Sequence, residues 1–172
     1  QASQTGLTDG LEASKDTGGC GLSEMAFPLQ ALLIEAKTLI TPVSAEVGSS
    51  MQAEGIEDRI TMAGLAARRL QEMVELSFRI ASIGVVISCQ AIDLRQKMCA
   101  SKNTYSALDN INTAKSCIRQ IIPEMMPSDS PPKSLENLVL YLKGGILSRS
   151  VGTHDIKDEG GLAKMKLRKS KL

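Results

Sequence analysis

Two adjacent carboxylates, Glu57 and Asp58, stand in "GIEDRITM" (residues 55–62), after a Gly- and Ser-containing loop and ahead of a long helical pattern. A carboxylate at a helix start has two uses. As an N-cap it accepts from N–H groups of the first turn, and its charge suits the positive helix end. In a desolvated pocket it can instead accept an N–H or a proton from a substrate. Asp58 sits where the apolar pattern begins, so capping accounts for it. Glu57 is one residue further out, is less useful as a cap, and is the stronger candidate for chemistry.

The other reactive side chains form no constellation by spacing. Cys20, Cys89, Cys99 and Cys117 contain no CxxC pair, and the single histidine, His154, cannot complete a zinc set, so no metal is expected. Free thiols in a reducing compartment are the simpler reading. No histidine lies near a matching element to activate Cys89 or Cys99. Gln90, in "SCQA", is expected as a polar plug between long helices. Tyr105 and Tyr141 are expected as packing residues, and His154 as a solvated residue of a polar tail.

The elements that must position these residues read as helices. Residues 1–19 are expected as a flexible lead-in. A helical segment follows to Ile40, with Pro28 tolerated only in a first turn or at a kink. Residues 41–55 read as a loop, opened by Pro42. The dominant element is expected from about Asp58 to Lys97. Met62, Ala66, Leu70, Met73, Leu76, Ile80, Ile83, Ile87, Ala91 and Leu94 recur at intervals of three and four, one continuous apolar seam. A helix of that length is a rod of roughly 57 Å. A compact domain of this size is only about 30–35 Å across, so the rod calls for helices from outside the chain. A third helix is expected over about 104–122, a Pro-rich break over 123–134, and a short helix "LENLVLYLKGGIL" stopped by Gly144–Gly145. The tail 148–172 is polar and ends in basic residues. No strand pattern and no repeat stands out, so the fold class is all-α, a long-helix bundle.

Bulk properties agree. The chain has 172 residues, a net charge of +1 and only 2% aromatic residues, with no Trp. Aliphatic side chains must therefore build the core, which suits helices packed on helices. The dispersed basic residues give no footprint for nucleic acid. The apolar run 80–92 is too short and too polar to cross a membrane by itself.

Three segments resemble the histidine and aromatic amino-acid ammonia-lyases, over about residues 18–147. "LIEAKTLITPVS" (33–44) is similar to the family's Glu-x-(Lys/Arg)-x-Leu-x-x-Pro-x-Ser segment. "EDRITM" (57–62) is similar to the histidine enzymes' Glu-Asp-His-Val-Ser-Met, with Arg59 and Ile56 as departures. "SCQAIDLR" (88–95) is similar to the family's Ala-Cys-Gln-Gly/Ala-x-(Asp/Glu) stretch. They occur in family order around one long helix.

The resemblance implies the C-terminal third of a homotetrameric lyase whose long helices pack together. It implies that Glu57 projects into the active site near the substrate side chain, where histidine enzymes carry Glu and phenylalanine or tyrosine enzymes usually Gln. A carboxylate there can accept from an imidazole N–H, which a phenyl ring could not use. The implied reaction of the assembled enzyme is elimination of ammonia from L-histidine to give trans-urocanate. A phenylalanine or tyrosine ammonia-lyase or aminomutase, or a non-catalytic helical interaction protein derived from a lyase, is the alternative. The family's electrophile, a 4-methylidene-imidazol-5-one (MIO) ring, forms from an Ala-Ser-Gly triplet, and this sequence contains none. A chain that begins at Gln1 and lacks the triplet is expected to be a fragment or one part of a split enzyme, inert alone. Its expected place is the cytoplasm, or a peroxisome-like organelle read through Ser170-Lys171-Leu172.

Overall fold

The computed structural model describes residues 2–13, 20–43, 62–99, 109–127, 129–145 and 147. Among them the elements are α1 (Ala2–Thr5), α2 (Ala26–Thr38), α3 (Ala63–Cys99), α4 (Asp109–Arg119) and α5 (Glu136–Lys143), with 3-10 turns at Asp9–Leu11 and Gly21–Met25. The described part is all-α, as the aliphatic composition and the three-four spacing require.

Local sequence sets most of the boundaries. Pro28 occupies the first turn of α2, where its missing N–H costs nothing. The helix unwinds through Leu39 and Ile40, whose N–H groups bond back to Ala36 and Lys37, just before Pro42. In α4, Asp109 lies in the first turn and Arg119 in the last, each opposing the helix dipole. α5 stops where Gly144 and Gly145 return N–H groups to Leu140 and Leu142, Gly145 with a φ of 64° that favours glycine. The start of α3 was expected at Asp58. That residue lies outside the described residues, and the described helix begins at Ala63.

Helix α3 is the spine, 37 residues and so roughly 55 Å long. Its buried residues are Leu76, Ser82, Ile83, Val86, Cys89, Gln90, Asp93 and Leu94, all in its C-terminal two-thirds. Ile83, Val86 and Cys89 join Leu22, Met25, Ile118, Ile122, Met125 and Leu138 in the core. A fully buried leucine such as Leu138, 0% exposed, contributes about 1.5–3 kcal/mol. The N-terminal part of α3 is uncovered: Leu70 is 62% and Val74 45% exposed. The expected seam therefore divides. From Leu76 to Leu94 its residues are buried or half-buried, whereas before Leu76 Ala66 and Leu70 are exposed.

Over one 18-residue window α3 is also long and apolar enough to cross a bilayer, although the run 80–92 by itself is not. Within this chain 33% of that window is buried, against side chains of α2, α4 and α5.

Residues 2–13 fall in the stretch expected as a flexible lead-in, and they rest against α3. Leu7 is buried, Arg95 donates to the Thr5 carbonyl at 2.9 Å, and the Asp9–Leu11 turn meets the Gly21–Met25 turn. Gly10 and Gly21 allow that meeting. Both have positive φ, and a Cβ on either would fall 2.4 Å from a backbone oxygen of the other turn.

Candidate functional site

The most elaborate side-chain arrangement among the described residues lies where α3 faces α4. Asp93 is its centre. Its Oδ1 accepts from Lys115 Nζ at 2.6 Å, and its Oδ2 accepts from Arg119 Nε at 2.9 Å and Nη2 at 2.6 Å. The side chains are only 10% exposed for Asp93 and 16% for each cation, so this is a mostly buried triad. Lys115 and Arg119 stand four residues apart on α4, which places both on one face toward α3. Lys115 also donates to Gln96, and Gln96 donates to Asn112 Oδ1 at 2.9 Å.

Arg119 extends the arrangement into the Pro-rich segment. Its Nη1 donates to the Pro123 carbonyl at 3.0 Å, and its Nη2 also reaches Gln90 Oε1 at 3.3 Å. Gln90, 1% exposed, accepts from the Met125 N–H and donates to the Met125 carbonyl, both at 3.3 Å. A longer contact, 3.5 Å, runs from its Nε2 to the Leu11 carbonyl. Gln90 is thus a polar plug, but it joins α3 to loop backbone rather than to another long helix.

The chemistry this clasp supports is positional. Each charged atom is paired within the chain, so the cluster fixes α4 and the 123–126 segment to α3. Beside it, burial pushes the Cys89 thiol above its ordinary value; Arg119 and Lys115 pull it down and Asp93 pushes it up, and burial prevails. A protonated, buried thiol without an adjacent base is no nucleophile. Among the described residues no three His, Cys, Asp or Glu side chains gather as metal ligands.

Among the described residues, two grooves lie along α3. One, of about 390 Å³, lies between α2, α3 and the start of α5, with Arg79, Ser82, Lys133, Ser134 and Glu136 as its polar lining. The other, of about 370 Å³, lies between α3 and α4 and is lined mainly by apolar side chains around Gly84.

Glu57 and Asp58, the residues singled out in the sequence, lie outside the described residues, as do Tyr105 and His154. Tyr141 packs against the core. Sequence reasoning passed over Asp93, Lys115 and Arg119. The available signals were the acid inside "SCQAIDLR" and two cations at i and i+4 on the next helix.

A spine helix buried along one part, bare along another and clasped by a saturated polar cluster defines an all-α protein of the long-helix bundle class. A family model, aromatic amino acid lyase, matches residues 1–113. Histidine ammonia-lyase of Desulfotalea psychrophila is 38% identical over 92 residues, 54% of this chain and 16% of that protein. Histidine ammonia-lyase of Staphylococcus aureus (strain USA300 / TCH1516) is 29% identical over 126 residues, 73% of this chain and 23% of that protein. The chain thus spans about a quarter or less of the length of these curated relatives. No solved structure matches it. The chain belongs to the aromatic amino acid lyase family.

Proposed function

We propose that this chain supplies the C-terminal helical part of a histidine ammonia-lyase, which in its assembled form eliminates ammonia from L-histidine to give trans-urocanate. The observation that carries the reading is the pairing of the family match, which includes Glu57, with relatives that bear the histidine ammonia-lyase name. Glu57 binds the imidazole of the substrate, holding its N–H or proton; Asp58, expected as a cap, stands five positions ahead of Ala63, where the described helix begins. The bare apolar positions Leu70 and Val74 on α3, with Phe27 and Ile34 on α2, support burial against further helices in a homotetramer.

The methylidene-imidazolone electrophile does not fit the residues present, because the 172 residues contain no Ala-Ser-Gly triplet to form it. It would come from polypeptide outside this sequence, and this chain without it is inactive.

The test is a chimera in which this chain replaces the matched segment of the Staphylococcus aureus relative. Urocanate formed from L-histidine is the expected product. A folded tetrameric chimera that deaminates phenylalanine or tyrosine but not histidine overturns the substrate. One that is folded and inert on all three overturns the enzyme reading.

A further inference from the structure

We propose that Ser130 is a phosphorylation site for a proline-directed serine/threonine kinase. It stands in "SPPK", Ser130-Pro131-Pro132-Lys133, within the Pro-rich break between α4 and α5. Ser130 and Lys133 are exposed, Pro131 is half-buried, and none of these four residues belongs to a helix. Residues 130–133 make no hydrogen bond to another described residue, so lifting them onto an enzyme breaks no backbone pairing there. Just before them, Asp129 closes a turn with Met126: its N–H donates to the Met126 carbonyl at 3.1 Å, and its Oδ2 accepts from the Met126 N–H at 2.7 Å.

Each residue of the motif has a physical part. Pro131 biases Ser130 toward the extended conformation in which kinases bind substrates. It also brings no N–H into an apolar pocket that offers no acceptor, where another residue would leave a donor unpaired. Lys133 supplies a cation three residues on, matched to an anionic contact. In the transfer, Ser130 Oγ attacks the γ-phosphorus of Mg-ATP. The new O–P bond forms as the bond to the β–γ bridging oxygen breaks, ADP leaves, and the hydroxyl proton passes to the kinase's catalytic carboxylate.

The fold tolerates the added charge, about −1.5 to −2 at neutral pH. The segment is pinned at one side by Met125, held by Gln90, and at the other by Leu138 in the core, and neither anchor contacts solvent extensively. The chain offers its own internal control. Thr41-Pro42 is the other Ser/Thr–Pro pair in the sequence, and its position three residues on is Ser44, not a cation.

The full chain is incubated with a cyclin-dependent kinase and Mg-ATP, and phosphopeptides are mapped by mass spectrometry; the chain isolated from its own cells is mapped in parallel. Phosphate is expected on Ser130 in both samples, with Thr41 slower. Ser130→Ala should abolish that signal, and Pro131→Ala should cut the rate at least roughly tenfold, the expected effect of one unpaired donor. Unchanged circular dichroism checks that the variants fold. Phosphate on Thr41 in preference to Ser130, an unchanged rate for Pro131→Ala, or an unmodified Ser130 in the native chain overturns the proposal.

Discussion

Replacing Asp93 by Asn keeps the shape of the side chain and one carbonyl acceptor but removes the charge that two cations share. With the amide nitrogen in the place of Oδ1, Lys115 keeps only Gln96 and Arg119 bonds a neutral oxygen; with the amide turned over, Lys115 keeps its bond and Arg119 loses both of its bonds to residue 93. Removing one partner of a fully buried pair costs about 3–5 kcal/mol, whereas exposed pairs are worth about 0–1. Side chains 10–16% exposed stand nearer the first limit, and discounting for the residual solvent leaves about 2–3 kcal/mol. For a chain of this length that is a melting-temperature drop of about 5–10 °C. The assay is urea unfolding followed by far-UV circular dichroism, run as a cycle with Arg119→Met and the double variant. The coupling energy should reach at least about 1.5 kcal/mol, in the upper part of the range for residues in one network. A loss below about 0.5 kcal/mol for Asp93→Asn, the level of an ordinary surface substitution, refutes the view that this clasp fastens α4 to α3.

Gly10→Ala should destabilise by about 2 kcal/mol, because its φ of +61° and a backbone oxygen 2.4 Å from the new Cβ both oppose it. Gly84→Ala should stabilise α3 by about 1 kcal/mol in the same melts, since nothing lies within 4 Å of the added methyl. The raised Cys89 value means that the folded chain holds the thiol proton more tightly than the unfolded chain. Its contribution is therefore present below the ordinary value of 9.0 and lost as pH rises through the folded value, and Cys89→Ala should remove that alkaline loss from stability–pH curves. With a thiol reagent under native conditions, exposed Cys20 should react well before buried Cys89, as peptide mapping would record. Leu70→Ser should leave helix content unchanged but weaken self-association in sedimentation, because Leu70 is 62% exposed in the single chain.

The apolar periodicity of residues 62–94 made the spine legible, because a helix must repeat its buried face every three or four residues. The same pattern could not place the polar members of that face. Asp93 is buried only because Arg119, 26 positions away, meets it, and Gln90 because Met125 does, 35 positions away. Pairings of that separation leave no local trace. The N-terminal turns were hard to read for a similar reason: their polar composition resembles a free lead-in, while Arg95 and Gln90 take up their carbonyls from across the fold. The expectation for Glu57 came from family resemblance and not from any spacing rule, and Glu57 lies outside the described residues.

A histidine-directed role is tested most directly by Glu57→Gln in the assembled chimera. The change keeps shape and hydrogen bonding but removes the charge and the proton acceptor. Loss of a charge-assisted hydrogen bond in a desolvated site, about 1.5–3 kcal/mol, should lower kcat/KM for L-histidine at least roughly tenfold. Turnover of phenylalanine, where measurable, should hold or rise, and Asp58→Asn should leave the preference for histidine unchanged. Histidine turnover that stays within about twofold of the parent, far less than such a bond is worth, contradicts that role.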